Sequence, residues 1–237
     1  MGFYERTGKF KAVTFSYDDG VTQDIQLVNL LNKYNLKCTF NLNSNRMGTR
    51  GMLIREEKPI SFYRIFPQDA VKIYEGHEVA VHTLDHTKLP ETEDDNEIIR
   101  QVEQDRIKLS EIMGYEVVGM AYPGGGVNYN QRVADIIKNH TGVKYARTTR
   151  NTDSFDVQTD LYQLKTSVYH VMEYDRLMEM GRRFVELEAD KPQIFYIWGH
   201  SYEMDYNSQR WKQMEEFCKL ISGRNDIFYG TNKEVLL

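Results

Sequence analysis

The sequence predicts an α/β protein built on a parallel sheet, open or closed into a barrel. Three observations carry that expectation. Seven short runs rich in β-formers alternate with amphipathic helical segments, the order expected of parallel strands joined by crossover helices. The 237 residues hold no repeat, low-complexity tract or Pro/Gly/Ser-rich linker, so residues 1–237 read as a single domain of barrel size. Polar residues recur at the ends of successive strands: Asp18-Asp19, His82, Pro123-Gly124-Gly125 and His200. In parallel α/β sheets the C-terminal strand ends share one face, and sites are built there.

The elements follow in order. Lys11–Tyr17 reads as a strand ending at the Asp-Asp-Gly turn signal. Thr22 is placed to N-cap a helix whose stripe is Ile25, Leu27, Val28, Leu31 and Tyr34. Leu36–Leu42 is the second strand, and residues 44–66 read as a long loop or insertion. Pro67–Tyr74 is a short helix with proline in its first turn. His77–His82 alternates as a strand. Glu91–Met113 is a long helix with one apolar face, closed by Gly114. Val117–Tyr122, Lys144–Thr148, Gln193–Gly199 and Asp226–Tyr229 are the remaining strands. Asn130–Asn139, Glu173–Ala189 and Ser208–Ile221 are the helices among them.

Composition excludes several functions. Lys+Arg 30 against Asp+Glu 35 gives a net charge of −5, against the basic patch that a nucleic-acid or anionic-membrane binder needs. No apolar run approaches the ~18 residues of a membrane span. The N-terminus lacks a signal-peptide h-region, and Arg6 stands where a myristoylation signal wants Ser or Thr. The sequence as it stands reads as cytoplasmic, or as secreted if a leader has been removed from it. Two cysteines, Cys38 and Cys218, make neither a disulfide framework nor a thiolate metal cluster. Any bound metal therefore needs histidine and carboxylate ligands, which makes the positions of the six histidines decisive.

Four motifs carry chemistry. A strand entering an Asx-type turn would explain one Asp and Gly20 after Thr14-Phe15-Ser16-Tyr17, but it leaves two adjacent carboxylates unexplained. One of the pair can bind a metal while the other accepts a proton. His82 and His86, at i and i+4 directly after a strand, can face one ion, whereas His77 at the strand's start reads as structural. Tyr122-Pro123-Gly124-Gly125-Gly126 is either a flexible loop or a stretch where backbone N–H groups approach a substrate oxygen. It is no phosphate loop, since no Gly-Lys-Ser/Thr follows. His200, after Trp198-Gly199, fits either a packed core histidine or a general acid.

Together and in this order the motifs resemble the polysaccharide deacetylase family, carbohydrate esterase family 4. The resemblance covers roughly residues 11–202. The family's T-F-D-D-G is similar to Thr14–Gly20 with Ser16-Tyr17 inserted. Its H-[ST]-x-x-H is matched by His82–His86, its R-x-P-x-G at Pro123 and Gly125, and its L-x-H at His200. The resemblance implies an irregular (β/α)7 barrel of TIM-like kind with its site at the C-terminal strand ends. It implies one divalent metal on Asp19, His82 and His86, zinc first, with cobalt or nickel as alternatives. Asp18 would be the base and His200 the acid. Tyr122, Pro123, Gly124 and Gly125 would belong to the groove wall, with the N–H of Gly124 on the oxyanion.

The sequence departs from the family pattern in four places, one of them Gly124 after Pro123, which leaves more room in the groove. The Arg opening the third motif falls on Ala121, with Arg147 or Arg150 as candidate replacements. The aspartate that polarises the acid histidine is assigned to Asp153, with Asp156 as competitor. Trp198 replaces a smaller apolar residue beside the acyl group, implying a narrower acyl pocket or a sugar-stacking surface.

Three functions are consistent with these residues. The first is a metal-dependent deacetylase of an N-acetylated sugar. The second is a carbohydrate-binding homologue weakened in turnover, prompted by Ala121. The third is a related amidohydrolase on a small non-sugar amide, kept open by the absence of an export signal.

Overall fold

The computed structural model describes residues 2–55, 58–170 and 174–237. The elements in chain order are α1 (Gly2–Thr7), β1 (Lys11–Asp18), α2 (Asp24–Lys33), β2 (Cys38–Leu42), β3 (Arg50–Arg55), β4 (Lys58–Tyr63), α3 (Pro67–Ile73), β5 (Glu78–Val81), α4 (Asp95–Met113) and β6 (Gly119–Ala121). They continue with α5 (Gln131–His140), β7 (Tyr145–Asn151), β8 (Leu164–Thr166), β9 (Val168–Tyr169), α6 (Tyr174–Glu186), β10 (Gln193–Gly199), α7 (Ser208–Ile221), β11 (Ile227–Tyr229) and α8 (Asn232–Leu236). Short 3₁₀ turns cover Ser44–Arg46, Leu89–Glu91 and Ser201–Tyr206.

The main sheet runs β8-β7-β6-β5-β2-β1-β10-β9, with every neighbouring pair parallel. Its two ends are consecutive pieces of one segment, because only Ser167 separates β8 from β9. The first piece pairs with β7 and the second with β10, so Leu164–Tyr169 nearly closes the sheet into a barrel. That segment is the seventh stave. The expected last strand forms as β11, but it lies off the ring, beside the first residues of β1. Two- and three-residue strands give too little periodicity to be read from sequence, which is why the seventh stave lay elsewhere than expected.

β1 and β10 are buried along their whole length, as parallel strands covered on both faces should be. Their register runs one to one from Lys11↔Gln193 to Tyr17↔Gly199. Ser16-Tyr17 therefore continues the strand without a bulge.

Other boundaries also shift. α2 starts after Gln23, and the Thr22 hydroxyl donates to the Gln23 side chain, not to the helix; the Asp24 carboxylate accepts from the Val21 N–H instead. α4 begins at Asp95 under an Asp94 cap, the residues from Leu89 to Glu91 forming a separate turn. Residue 173, the expected start of α6, lies outside the described residues. Within residues 44–66, expected as a loop or insertion, β3 and β4 pair antiparallel as a sheet of their own. Leu53, Ile60 and Phe62 of this pair pack with Val21 and Tyr202. Gly51 and Pro59 interrupt the β-signal there, and tertiary packing overrides them. Among the described residues, no helix is long and apolar enough to cross a membrane.

Candidate active site

The C-terminal ends of β1, β5 and β10, with the loop after β6, converge on a cavity of ≈ 280 Å³. Asp18, Asp19, His82, His86 and His200 all line it. Three of these offer ligand atoms that lie within 4.8 Å of one another: Asp19, His82 and His86. The backbone is bent to bring them there, with positive φ at Asp19 (80°), Thr83 (62°) and His86 (61°). Such conformations cost of order 1–3 kcal/mol each in non-glycine residues and persist where the surroundings enforce them. The Asp19 N–H is fixed by the carbonyl of Asn41 at 3.0 Å.

The donor set fits a divalent metal. His82 Nδ1 lies 2.8 Å from the Ala121 carbonyl, which can only accept, so Nδ1 carries the proton and Nε2 keeps its lone pair for the cluster. Burial lowers the pKa of both His82 and His86, the latter to about 4, and keeps the rings neutral as ligands must be. Asp19 Oδ2 accepts the Tyr202 hydroxyl at 3.1 Å, while its buried Oδ1 has no hydrogen-bond partner and lies 3.6 Å from His86 Nε2. An orphaned carboxylate oxygen facing two imidazole lone pairs is the environment an ion completes. One carboxylate and two imidazoles suit a divalent transition-metal ion.

Asp18 is held differently. Arg147, fully buried on β7, donates to both of its carboxylate oxygens, at 2.7 Å to Oδ2. Asn41 Nδ2 donates to Oδ1 at 2.8 Å. Burial alone would raise the Asp18 pKa, but the Arg147 guanidinium, with the His82 and His200 rings behind it, reverses that and holds the carboxyl below its usual range. Of the two arginine candidates, Arg147 is therefore the one brought to Asp18; Arg150 is exposed. Arg147 also lies over the Trp198 ring, 4.8 Å from its centroid, and Trp198 packs on Tyr169 at 4.6 Å.

His200 Nε2 faces Asp18 Oδ2 at 3.9 Å. Its Nδ1 lies 3.2 Å from Glu203 Oε2 on the turn that follows. Burial disfavours the charged ring, but the carboxylates of Glu203, Asp18 and Asp19 outweigh it and raise the pKa to about 9. Asp153 is not brought to this histidine. Its carboxylate is 54% exposed and paired with Arg176 at 3.4 Å, and Asp156 is exposed beside Lys191. The carboxylate on His200 comes from three residues downstream, where a 3₁₀ turn folds Glu203 back beneath the ring.

The glycine loop divides in two. Gly124 (φ +84°) and Gly125 border the cavity with Trp198, Tyr169, Thr149 and Tyr202. Pro123 is buried beneath them. Tyr122 belongs to the core rather than the groove, its hydroxyl bonded to the Tyr162 carbonyl at 2.8 Å. No sequence motif marks Glu203, Tyr202, Asn41 or Tyr169, which enter the site only through the fold.

The chain matches the family model described as polysaccharide deacetylase over residues 5–146. No curated protein resembles it closely enough to count as a relative. Among solved structures it is similar to a family 4 carbohydrate esterase from Streptomyces lividans in complex with acetate, at 12% identity over 94% of this chain and 93% of that one, TM-score 0.57. It is similar to a Streptococcus pyogenes deacetylase in complex with acetate, at 16% identity over 63% of this chain and 61% of that one, TM-score 0.51. It is also similar to a family 4 pseudoenzyme from Bacillus anthracis, at 13% identity over 96% of this chain and 66% of that one, TM-score 0.53. The chain thus spans about three fifths of the streptococcal protein and two thirds of the pseudoenzyme.

Proposed function

Because the chain belongs to the polysaccharide deacetylase family, we propose that it acts as one catalytic domain that removes an acetyl group from an N-acetylated sugar, with the help of one divalent metal. The observation that carries this reading is the convergence on one cavity of a three-ligand cluster, an arginine-held carboxylate and a carboxylate-backed histidine. A pseudoenzyme among similar structures makes the completeness of the set informative, since Asp18, Asp19, His82, His86 and His200 are all present around that cavity.

Asp19, His82 and His86 would hold the metal, zinc first. Bound there it supplies a Lewis acid for the amide oxygen and lowers the pKa of a neighbouring water. The chain's own groups supply the rest. Asp18, kept ionised by Arg147, takes the proton of the attacking water. The N–H of Gly124 is the proposed donor to the developing oxyanion. His200 gives its Nε2 proton to the departing amine, while Glu203 holds Nδ1 and so fixes the ring's orientation. Trp198 and Tyr169 form an aromatic wall against which the acyl group or a sugar ring packs.

The test is acetate release from N-acetylglucosamine oligomers by the wild type and by Asp18→Asn, with zinc content measured on both. Acetate from the wild type and its loss in the variant at unchanged zinc support the assignment. Zinc bound at the site without acetate from any N-acetylated sugar points instead to a small non-sugar amide as substrate.

A further inference from the structure

We propose that His170 is a positioning residue for the general acid, keeping Glu203 seated on His200 through a neutral ring whose tautomer is set by Tyr17. The inference depends on the reading of His200 as the proton donor.

His170 follows β9 directly, and its backbone N–H donates to the Trp198 carbonyl at 3.0 Å. The ring is buried, and its Nδ1 meets the Tyr17 hydroxyl at 2.7 Å. Nδ1 is the one acceptor that this hydroxyl has among the described residues, so keeping the buried O–H paired requires it to donate, with Nδ1 accepting. Burial pushes the His170 pKa down to about 3, which leaves the ring neutral. A neutral ring that accepts at Nδ1 carries its proton on Nε2.

That nitrogen sits beside the Glu203 carboxylate, with the His200 main chain also acting on the ring. Nε2 lies 3.9 Å from Glu203 Oε2, too far for a hydrogen bond but close for an N–H dipole against a charge in a buried site. The same oxygen accepts the Tyr169 hydroxyl and lies 3.2 Å from His200 Nδ1. Polar hydrogens from three side chains thus converge on one carboxylate oxygen. Opposite it the chain holds a second, neutral histidine, and the Arg210 guanidinium that borders this ring donates to the Glu203 main-chain carbonyl at 3.1 Å instead of to the carboxylate. A cation there would compete with His200 for Glu203.

Gly199 supplies an independent observation. A Cβ at that position would come 1.8 Å from His170 Cδ2 and 2.1 Å from Nε2. The glycine just before the acid histidine therefore leaves room for the His170 ring against β10. Strand, ring and turn form one stack: Tyr17 on β1, His170 after β9, Glu203 and His200 after β10.

The proposal is tested by NMR and kinetics together. Long-range ¹H–¹⁵N spectra of the zinc-dialysed protein should show His170 neutral with its proton on Nε2 from pH 5.5 to 8. They should also show a slowly exchanging Nδ1 proton on His200 that His170→Leu loses. In acetate release, His170→Leu should lower kcat about tenfold, a fraction of what a general acid contributes, with KM and zinc content unchanged and the alkaline limb of the pH profile moved down. Gly199→Ala, which displaces the ring, should reproduce that pattern, and His170→Gln, whose amide N–H can face the same oxygen, should restore much of the rate. Tyr17→Phe supplies a third variant should the His170→Leu chain not fold. A cationic ring or an Nδ1–H tautomer at His170 overturns the proposal, and so do a kcat and an alkaline limb in His170→Leu equal to wild type. If no variant, wild type included, releases acetate, the reading of His200 fails, while the tautomer and the His200 proton still decide whether the stack is built as described.

Discussion

Replacing Arg147 by methionine removes the buried charge that holds Asp18. The pair is almost wholly out of water, with side-chain exposures of 0% and 2%. Removing one partner of such a pair typically costs about 3–5 kcal/mol, because the other charge is left buried and uncompensated. For a chain of this length each kcal/mol moves Tm by roughly 2–4 °C, so the loss amounts to about 6–20 °C. The pH dependence has a defined sign. In the wild type the Asp18 pKa is lowered in the fold, so its stabilising contribution is present above the unfolded value near 4 and is lost as pH falls through the folded one. Without Arg147 the folded pKa rises, because only the His82 and His200 rings are left to oppose burial, so the stabilising contribution at neutral pH shrinks. The deficit of Arg147→Met relative to wild type should therefore be larger at pH 7 than at pH 4. Denaturant melts at both values measure it, with exposed Arg150→Met expected within about 0.5 kcal/mol of wild type as the control. A deficit under about 1 kcal/mol, or one equal at the two pH values, refutes the claim that Arg147 holds Asp18 ionised.

Other expectations are simpler to state. Tyr202→Phe removes the hydroxyl on Asp19 Oδ2 and should weaken zinc affinity by about tenfold or more, as loss of a ligand's own partner does, read by competition with a chromophoric chelator. Asp153→Asn should leave acetate release within about twofold of wild type, since a surface change away from the site has little effect, whereas Glu203→Gln should lower kcat and shift the alkaline limb down. His77 is buried, bonded to the Cys38 N–H at 3.1 Å, and its pKa is lowered to about 4 by burial. Between pH 4 and 6.5 the unfolded chain binds a proton there that the fold does not, so the contribution is lost as pH falls, at up to about 1.4 kcal/mol per unit. The stability difference between wild type and His77→Gln should shrink or reverse over that interval; a constant difference speaks against a neutral buried ring.

The sequence made the metal-and-proton half of the site legible, because Asp18, Asp19, His82 and His200 sit at or just past the ends of β-rich runs, and His86 follows His82 at i+4. Parallel strands bring those ends to one face whatever the loops do. What supports them was not legible. Arg147 reaches Asp18 from β7, with three strands between it and β1 along the sheet, and Arg150, three residues on, is exposed. Glu203 lies in an unremarkable Ser-Tyr-Glu-Met turn, where only the tight 3₁₀ path shows which side chain folds under His200. Asp153 had the better sequence credentials and the wrong exposure. The seventh stave, Leu164–Tyr169, escaped notice for a similar reason: it pairs with two different neighbours through fragments too short to show alternation.

The most direct measurement is acetate release from N-acetylglucosamine oligomers through a chelation and zinc back-titration cycle, with bound metal quantified at each point. Turnover should vanish with the metal and return in full at one equivalent of zinc, and His86→Ala should neither retain zinc nor recover. Acetate release undiminished in metal-free protein, or zinc retained with equal affinity by the His86→Ala variant, contradicts the assignment of this cavity as a metal-dependent deacetylase site.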